Sequence, residues 1–402
     1  VIVISGGDVV LPDRILADAS LIIDDHRIAA IEPAGRVDAA GAAIVSAADC
    51  FVVPGFIDVH VHGVVGHDTL NEGDPLAAMA ALLPQYGVTS FCPTTVACPP
   101  AQLRAVLNQV ATLRARRPSS SARVLPAHLE SNFINPEYRG AQPADCLRLP
   151  TDTARRLAVS EGDFSARDII EVIAGARSEV GIVTLAPELP GGIDLIRTLV
   201  SAGHRVSLGH TGATLEEALA AIDAGARHAT HLFNRMAPIT HRAPGIAGAV
   251  LSRQEVAAEL ICDGYHVHAS MSRIAIASKG IGRIMAITDG TAGSGLTSGS
   301  TATLGGRRIR VTDQAALLDD GTLAGSTLTM DRAFATIVRA FGFSIPEASV
   351  MCSTTPGREL GLTGFGLIAA DAVADLVILD RELRVVRTFI DGAEVYRTGA
   401  AA

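Results

Sequence analysis

Lysine is almost absent: the 402 residues hold one, Lys279, so arginine supplies every other fixed positive charge. Positive charge is itself in deficit, with 33 lysines and arginines against 42 aspartates and glutamates and a formal net charge of -9. Such a surface argues against a nucleic-acid or anionic-membrane partner and leaves any anionic ligand to a few local arginines. Paired cysteine motifs are missing too. Cys50, Cys92, Cys98, Cys146, Cys262 and Cys352 show no Cys-x-x-Cys spacing, so neither a disulfide framework nor a zinc finger is indicated, and buried free thiols are expected. No apolar run approaches the roughly 20 residues of a membrane span. The stretch Val1-Ile-Val-Ile-Ser-Gly-Gly7 lacks the basic start and cleavage site of a signal peptide. A cytoplasmic protein with a small-molecule partner, no nucleic acid and no membrane is the expectation.

What is present is apolar bulk, 48% of residues against 19% charged, enough for a large core. Residues 1–54 read as short strands and turns without helical period, and residues 374–380 and 384–396 have the same character, with Asp391-Gly392 a hairpin turn. Because chain ends often lie close together, 1–54 and 355–402 are expected to form one small β-sandwich domain, the alternative being two unrelated flaps. Between them the pattern becomes strand, loop, helix, repeated. The candidate strands are 56–62, 88–95, 123–130, 181–187, 205–210, 228–233, 257–262 and 284–289. Thr214-Leu-Glu-Glu217 is a capping box opening a helix to Asp223, and helices are also expected over 331–340 and 346–351. Near-continuous apolar strands alternating with helices indicate a parallel sheet covered on both faces. Eight such units predict an α/β fold, a (β/α)8 TIM-like barrel over 55–354, with an open doubly wound sheet as the alternative.

Five of these strands end in residues that can carry chemistry. His60 and His62 share one face of the first. Glu130 closes the third, His210 the fifth, Asp289 the eighth, and His231 ends the core of the sixth. Singly, each is a routine polar residue. Together they bring four imidazoles and two carboxylates to the strand ends where barrel enzymes place their active sites. Neutral imidazole and carboxylate suit zinc or a neighbouring divalent metal, one or two ions, with a position left for water. Asp289 is then the candidate general base and acid.

This arrangement resembles the amidohydrolase superfamily of metal-dependent barrels. Many of its members bridge two metals with a carbamylated lysine on the fourth strand. Here that strand, Gly181-Ile-Val-Thr-Leu-Ala-Pro-Glu188, has none, and Glu130 must take its place. Several motifs point to one branch: Pro54-Gly-Phe-Ile-Asp-Val-His-Val-His-Gly63, His128-Leu-Glu130, Arg139-Gly-Ala-Gln-Pro143, Gly209-His-Thr211, Thr230-His-Leu-Phe-Asn234, His241-Arg-Ala-Pro-Gly245, Asp263-Gly-Tyr-His266, Ile287-Thr-Asp289 and Gly325-Ser-Thr-Leu-Thr-Met330. In order and across nearly the whole chain they resemble the N-acetylglucosamine-6-phosphate deacetylase family.

The resemblance implies that Glu130, His210 and His231 hold the principal metal, that His60 and His62 match the ligands of a second, and that Asp289 is catalytic. It assigns sugar-phosphate contacts to Asn234, Arg235, Arg242 and His266 and a sugar contact to Gln142; Met330 is a candidate for packing near the acyl group, or equally a core methionine. Arg242 would come from a neighbouring subunit, which implies a homodimer acting on an amino sugar phosphate. His67, His128, His228, His241 and His268 are read as polar core or loop residues, and Glu188 as a supporting or helix-opening carboxylate. The chain departs from the family pattern at Ser131-Asn132, at Arg235 and in the loop Asp289-Gly-Thr-Ala-Gly-Ser-Gly295. All three places fall near the expected substrate pocket, so the reading of the substrate stays open to another N-acyl amine, including N-acetylgalactosamine 6-phosphate, or a cyclic amide. The alternative of another class is a catalytically silent barrel used as a binding module.

Overall fold

The computed structural model describes residues 1–33, 41–153 and 163–399; residues 34–40, 154–162 and 400–402, which belong to the segments delimited above, lie outside the described residues. Eight parallel strands form the barrel: β1 (Phe56–Val61), β2 (Val88–Thr95), β3 (Ala127–Glu130), β4 (Val180–Leu185), β5 (Arg205–Leu208), β6 (His228–Ala229), β7 (Ala257–Ile261) and β8 (Ile284–Ile287). Each pairs with the next in chain order. The ring closes where Asp289 N–H donates to His60 O at 2.9 Å and Val61 bridges Gly290. Closure rules out the open sheet. β2 is buried along its whole length, as a strand covered on both faces must be.

The third strand is expected over 123–130 but is broken into Arg123–Val124 and Ala127–Glu130, because Pro126 between them has no N–H for the ladder. Helix Leu215–Asp223 starts at the expected capping box: Thr214 Oγ1 accepts from Glu217 N–H at 3.2 Å while Glu217 Oε2 accepts from Thr214 N–H at 2.9 Å. The helix expected over 331–340 spans Met330–Arg339 and packs Phe334 against Phe56, ring centroids 5.3 Å apart. The segment expected over 346–351 is a short helix, Ile345–Ser349, that widens into a π-helical turn, Val350–Thr354.

Both chain ends enter one eight-stranded sheet. Its halves join where Phe51–Pro54 runs antiparallel to Leu376–Leu379, around a core of its own that includes Ile4, Leu21, Ile23, Val52 and Phe389. Asp391 and Gly392, at φ 49° and 75°, make the expected hairpin turn between Val385–Ile390 and Ala393–Arg397. A three-stranded sheet, Thr301–Leu304, Arg307–Val311 and Ala316–Leu318, was not foreseen; it is inserted after β8, beside the mouth of the barrel.

Candidate metal centre and active-site cavity

All the chemistry-bearing residues lie at the carboxyl ends of the barrel strands. His60 is within β1 and His62 just beyond it, Glu130 is the last residue of β3, and His210, His231 and Asp289 each follow their strand by two residues. These last three have φ of 49°, 31° and 47°, a left-handed conformation that costs an L-residue roughly 1–2 kcal/mol and turns the side chain in toward the barrel axis. That turn is why the sixth strand, expected to reach residue 233, stops at Ala229. Gly209 makes the approach possible, since a Cβ there would lie 2.7 Å from Thr230 Cβ.

Three groups of donors result; His60, His128 and Glu259 form a fully buried one, and the other two border the cavity. In one, Glu130 Oε1 lies 2.7 Å from His210 Nε2 and 2.8 Å from His231 Nε2, which are 3.0 Å apart. In the other, Asp289 Oδ1 is 3.3 Å from both His60 Nε2 and His62 Nε2. Glu130 joins the two groups, with its Oε2 at 3.5 Å from His62 Nε2.

The hydrogen-bond inventory tests whether a cation fits. His210 Nδ1 donates to Tyr138 O at 2.8 Å, His62 Nδ1 to Thr94 O at 3.2 Å, and His60 Nδ1 to the Glu259 carboxylate at 2.8 Å. With their Nδ1 protons spent, the neutral rings present Nε2 lone pairs to carboxylate oxygens. Acceptors facing acceptors at these distances need positive charge between them, and hard oxygen with imidazole nitrogen is the donor set of a divalent metal. The titration behaviour of the side chains shows the same demand for positive charge, which protons on the imidazoles meet when no cation does. Burial works against charge on every member, yet Asp289 and Glu259 raise His60 well above its ordinary value, and Asp289 and Glu130 raise His62 to about 9. Against burial, His210 and its neighbours hold Glu130, and His60 and His62 hold Asp289, well below the usual carboxylate range.

A cavity of about 500 Å³ opens above this floor. Among the expected residues, His62, Glu130, His210, His231 and Asp289 face it, as do Gln142, Asn234, Arg235 and His266. His60 is fully buried behind them. Gln142, expected as a sugar contact, has both ends engaged: its Nε2 donates to Glu130 Oε2 and its Oε1 accepts from Ala97 N–H at 2.7 Å. His266 donates from Nδ1 to Asp263 at 2.6 Å, and its buried Nε2, beside the Gly325 main chain, makes no hydrogen bond of ordinary geometry. Arg242 is exposed and does not line the cavity of its own chain. Met330 is not brought to the cavity at all; it is fully buried in the main hydrophobic core at the start of its helix. Ser131 and Asn132 sit one layer below the pocket: Ser131 Oγ donates to Thr184 O at 2.5 Å, and Asn132 Nδ2 bonds Cys98 O and Cys146 O at 2.9 and 2.7 Å.

An amidohydrolase family profile matches residues 51–395. The chain belongs to the amidohydrolase family. This amidohydrolase is 36% identical over 381 residues to the N-acetylgalactosamine-6-phosphate deacetylase of Escherichia coli O157:H7, covering 94% of each chain. It is 32% identical over 392 residues to the N-acetylglucosamine-6-phosphate deacetylase of Bacillus subtilis, covering 96% of this chain and 94% of the relative. A mutant N-acetyl-D-glucosamine-6-phosphate deacetylase from Mycobacterium smegmatis, solved in complex with N-acetyl-D-glucosamine-6-phosphate, superposes with a TM-score of 0.86 at 32% identity, over 98% of this chain and 99% of that one. The family uses a divalent metal, in keeping with the donor groups of this amidohydrolase.

Sequence reasoning missed one residue of the site, Glu259. It is fully buried in β7 and accepts from His60 Nδ1 and, at 3.3 Å, from His231 N–H. A lone carboxylate inside the apolar strand Ala257–Ile261 was the available signal, since a buried charge without a partner is too costly to keep. Glu188 is a supporting carboxylate: it accepts from Asn135 Nδ2, Gly212 N–H and Thr211 Oγ1 at 2.8, 2.8 and 2.5 Å and fixes the turn after His210. His128 is buried polar core, bonded to Val59 O at 3.0 Å and Thr184 Oγ1 at 2.8 Å.

Proposed function

We propose that this amidohydrolase removes the N-acetyl group of N-acetylglucosamine 6-phosphate, releasing glucosamine 6-phosphate and acetate. The observation that carries the reading is the meeting of Glu130, His210 and His231 with Asp289 on the floor of one cavity whose wall includes His266. Relatives named for this reaction share about a third of the sequence over almost the full chain. Glu130, His210 and His231 would hold the principal ion, zinc in our reading, and His60, His62 and Asp289 a second. When bound, such an ion supplies Lewis acidity, acidifying water and polarising the acetyl carbonyl.

The chain's own residues do the rest. Asp289 accepts the proton of the attacking water as its oxygen bonds to the acetyl carbon. The same carboxyl then returns that proton to nitrogen as the C–N bond breaks, so acetate leaves and a free amine remains. His266 Nε2, held in place by Asp263, hydrogen-bonds the sugar, beside Asn234. Gln142 keeps Glu130 oriented. Arg235 at the rim of the cavity, joined by Arg242 from a second subunit, takes the phosphate through guanidinium forks. Arg242, exposed and outside its own cavity, is free to reach the site of a second copy, and this reading takes the protein as a homodimer. We place the reaction in the cytoplasm, where sugar phosphates are made and retained.

A second reading, the same chemistry on N-acetylgalactosamine 6-phosphate, is favoured by the 36% identity to the Escherichia coli enzyme of that name. Acetate release by zinc-reconstituted protein decides between them, run on both phosphorylated sugars beside unphosphorylated N-acetylglucosamine. Preference for the first substrate is expected. No turnover of any of the three, with metal bound, would overturn the reading and leave another N-acyl amine or a cyclic amide as the substrate.

A further inference from the structure

A second cavity, of about 590 Å³, lies at the amino-terminal end of β3 to β5, away from the metal centre. In a chain of net charge -9 it is walled by Arg114, Arg117, Arg123 and Arg205, with Asp391 the one carboxylate among its lining residues. The arginines divide into two kinds. Arg123 is neutralised, bonding Asp375 at 2.7 Å and Asp391 at 2.8 Å. Arg117 shares Asp391 through Nη2, but its Nη1 is buried with no hydrogen-bond partner. Arg205 donates from Nε to the main-chain oxygen of Glu359 at 2.6 Å, and among the described residues no carboxylate lies within 4.0 Å of it. Arg114 donates to the main-chain oxygen of Ser178 at 2.5 Å and reaches a carboxylate, Glu179, only at 3.9 Å.

Buried donors without acceptors are rare in folded proteins and mark places where a ligand or ion completes the inventory. Three guanidinium groups with donor capacity to spare, set around one space, exceed what a single carboxylate can use and match the three terminal oxygens of a phosphate. The remaining wall is apolar, including Leu125, Leu360, Leu362 and the Phe365 ring, over which Arg123 lies at 4.7 Å. We propose that this cavity binds a phosphate group, carried as a small monoester, with its head on Arg114, Arg117 and Arg205 and its organic part against Leu362 and Phe365. The ligand would also clamp the barrel to the sheet formed by the chain ends, because Asp391 lies in the hairpin turn of that sheet and the arginines belong to the barrel.

The test uses the full, metal-loaded chain with phenyl phosphate and inorganic phosphate as probes, read by hydrogen exchange and by calorimetric titration. Phenyl phosphate is expected to slow exchange at residues 113–117 and 360–365. Arg205→Gln and Arg114→Gln, neither of which releases a closely bonded carboxylate, are each expected to weaken that binding about tenfold, the loss of one charge-assisted hydrogen bond. Weaker protection by inorganic phosphate supports an ester; equal protection overturns the ester and leaves the free ion. Slowed exchange confined to the catalytic cavity, or titrations of the two variants that overlay the parent, would overturn the site. If either variant fails to fold by circular dichroism, the exchange measurement on the parent protein decides alone.

Discussion

Replacing Glu259 with glutamine removes a charge from beneath the metal centre while keeping the shape of the side chain. Burial opposes the charge of Glu259, but His128 and His60 hold its carboxyl below the usual glutamate value. Its bond to His60 Nδ1 at 2.8 Å fixes the tautomer that leaves Nε2 free, and its bond to His231 N–H fixes the turn carrying a second imidazole. Glutamine turns a charge-assisted hydrogen bond into a neutral one of about half the strength, a loss of ~1–2 kcal/mol. This loss falls on the state of His60 that coordinates, so metal affinity at the His60, His62 and Asp289 group should drop about 10–100-fold. His210 is anchored by Tyr138 O instead, so the group built on Glu130, His210 and His231 should hold its ion better. Chelator competition followed by elemental analysis separates the two: the variant should surrender one ion early and keep the other. Chelator curves that coincide with those of the parent protein would refute the argument that Glu259 positions His60.

Three further outcomes follow from particular contacts. Asp289→Asn should keep the ion held by Glu130, His210 and His231 and lose turnover by orders of magnitude, whereas Glu130→Ala should lose that ion outright; elemental analysis beside an acetate assay distinguishes them. Gly63→Ala places a Cβ 2.4 Å from His67 O and 2.5 Å from Ala292 N, main-chain atoms that cannot yield, so thermal unfolding should show a loss of about 1–3 kcal/mol together with weaker metal binding through the displaced His62. Burial opposes ionisation of Glu359, but the adjacent His228 and Arg358 bring its carboxyl down from 4.5 to about 2. Its stabilisation is therefore complete above pH 4.5 and is lost as pH falls through about 2. Glu359→Gln should flatten the decline of stability across that window in acid-unfolding measurements.

The barrel and the side chains gathered at the carboxyl ends of its strands were legible because they obey local rules. Alternation of apolar strands with capped helices announces a parallel sheet, and histidines two apart on a strand must share a face. Residues at the ends of apolar runs could be matched to the family pattern one by one. The π-turn after Ser349 and the inserted three-stranded sheet were not legible. A π-bulge gives no period of its own, and the insertion's strands, Thr301–Leu304, Arg307–Val311 and Ala316–Leu318, are too short to set one.

Contacts between distant segments were also out of reach. Glu259 looks like an error in an apolar strand until β7 is seen beside His60, 199 residues earlier in the chain. Met330 reads equally as a pocket residue or a core methionine until its helix is seen to point it into the core.

By itself, then, the sequence determined the class of fold and the types of donor at the end of each strand, since strand periodicity and side-chain chemistry are properties of short segments. Only the tertiary structure decided which carboxylates neutralise which imidazoles, which glutamines and glutamates orient the metal centre, and where arginines are left without an acceptor. These depend on distances of about 3 Å between segments far apart in the chain, and hydrogen bonds and ion pairs weaken too steeply with distance and angle to be read from order along the chain.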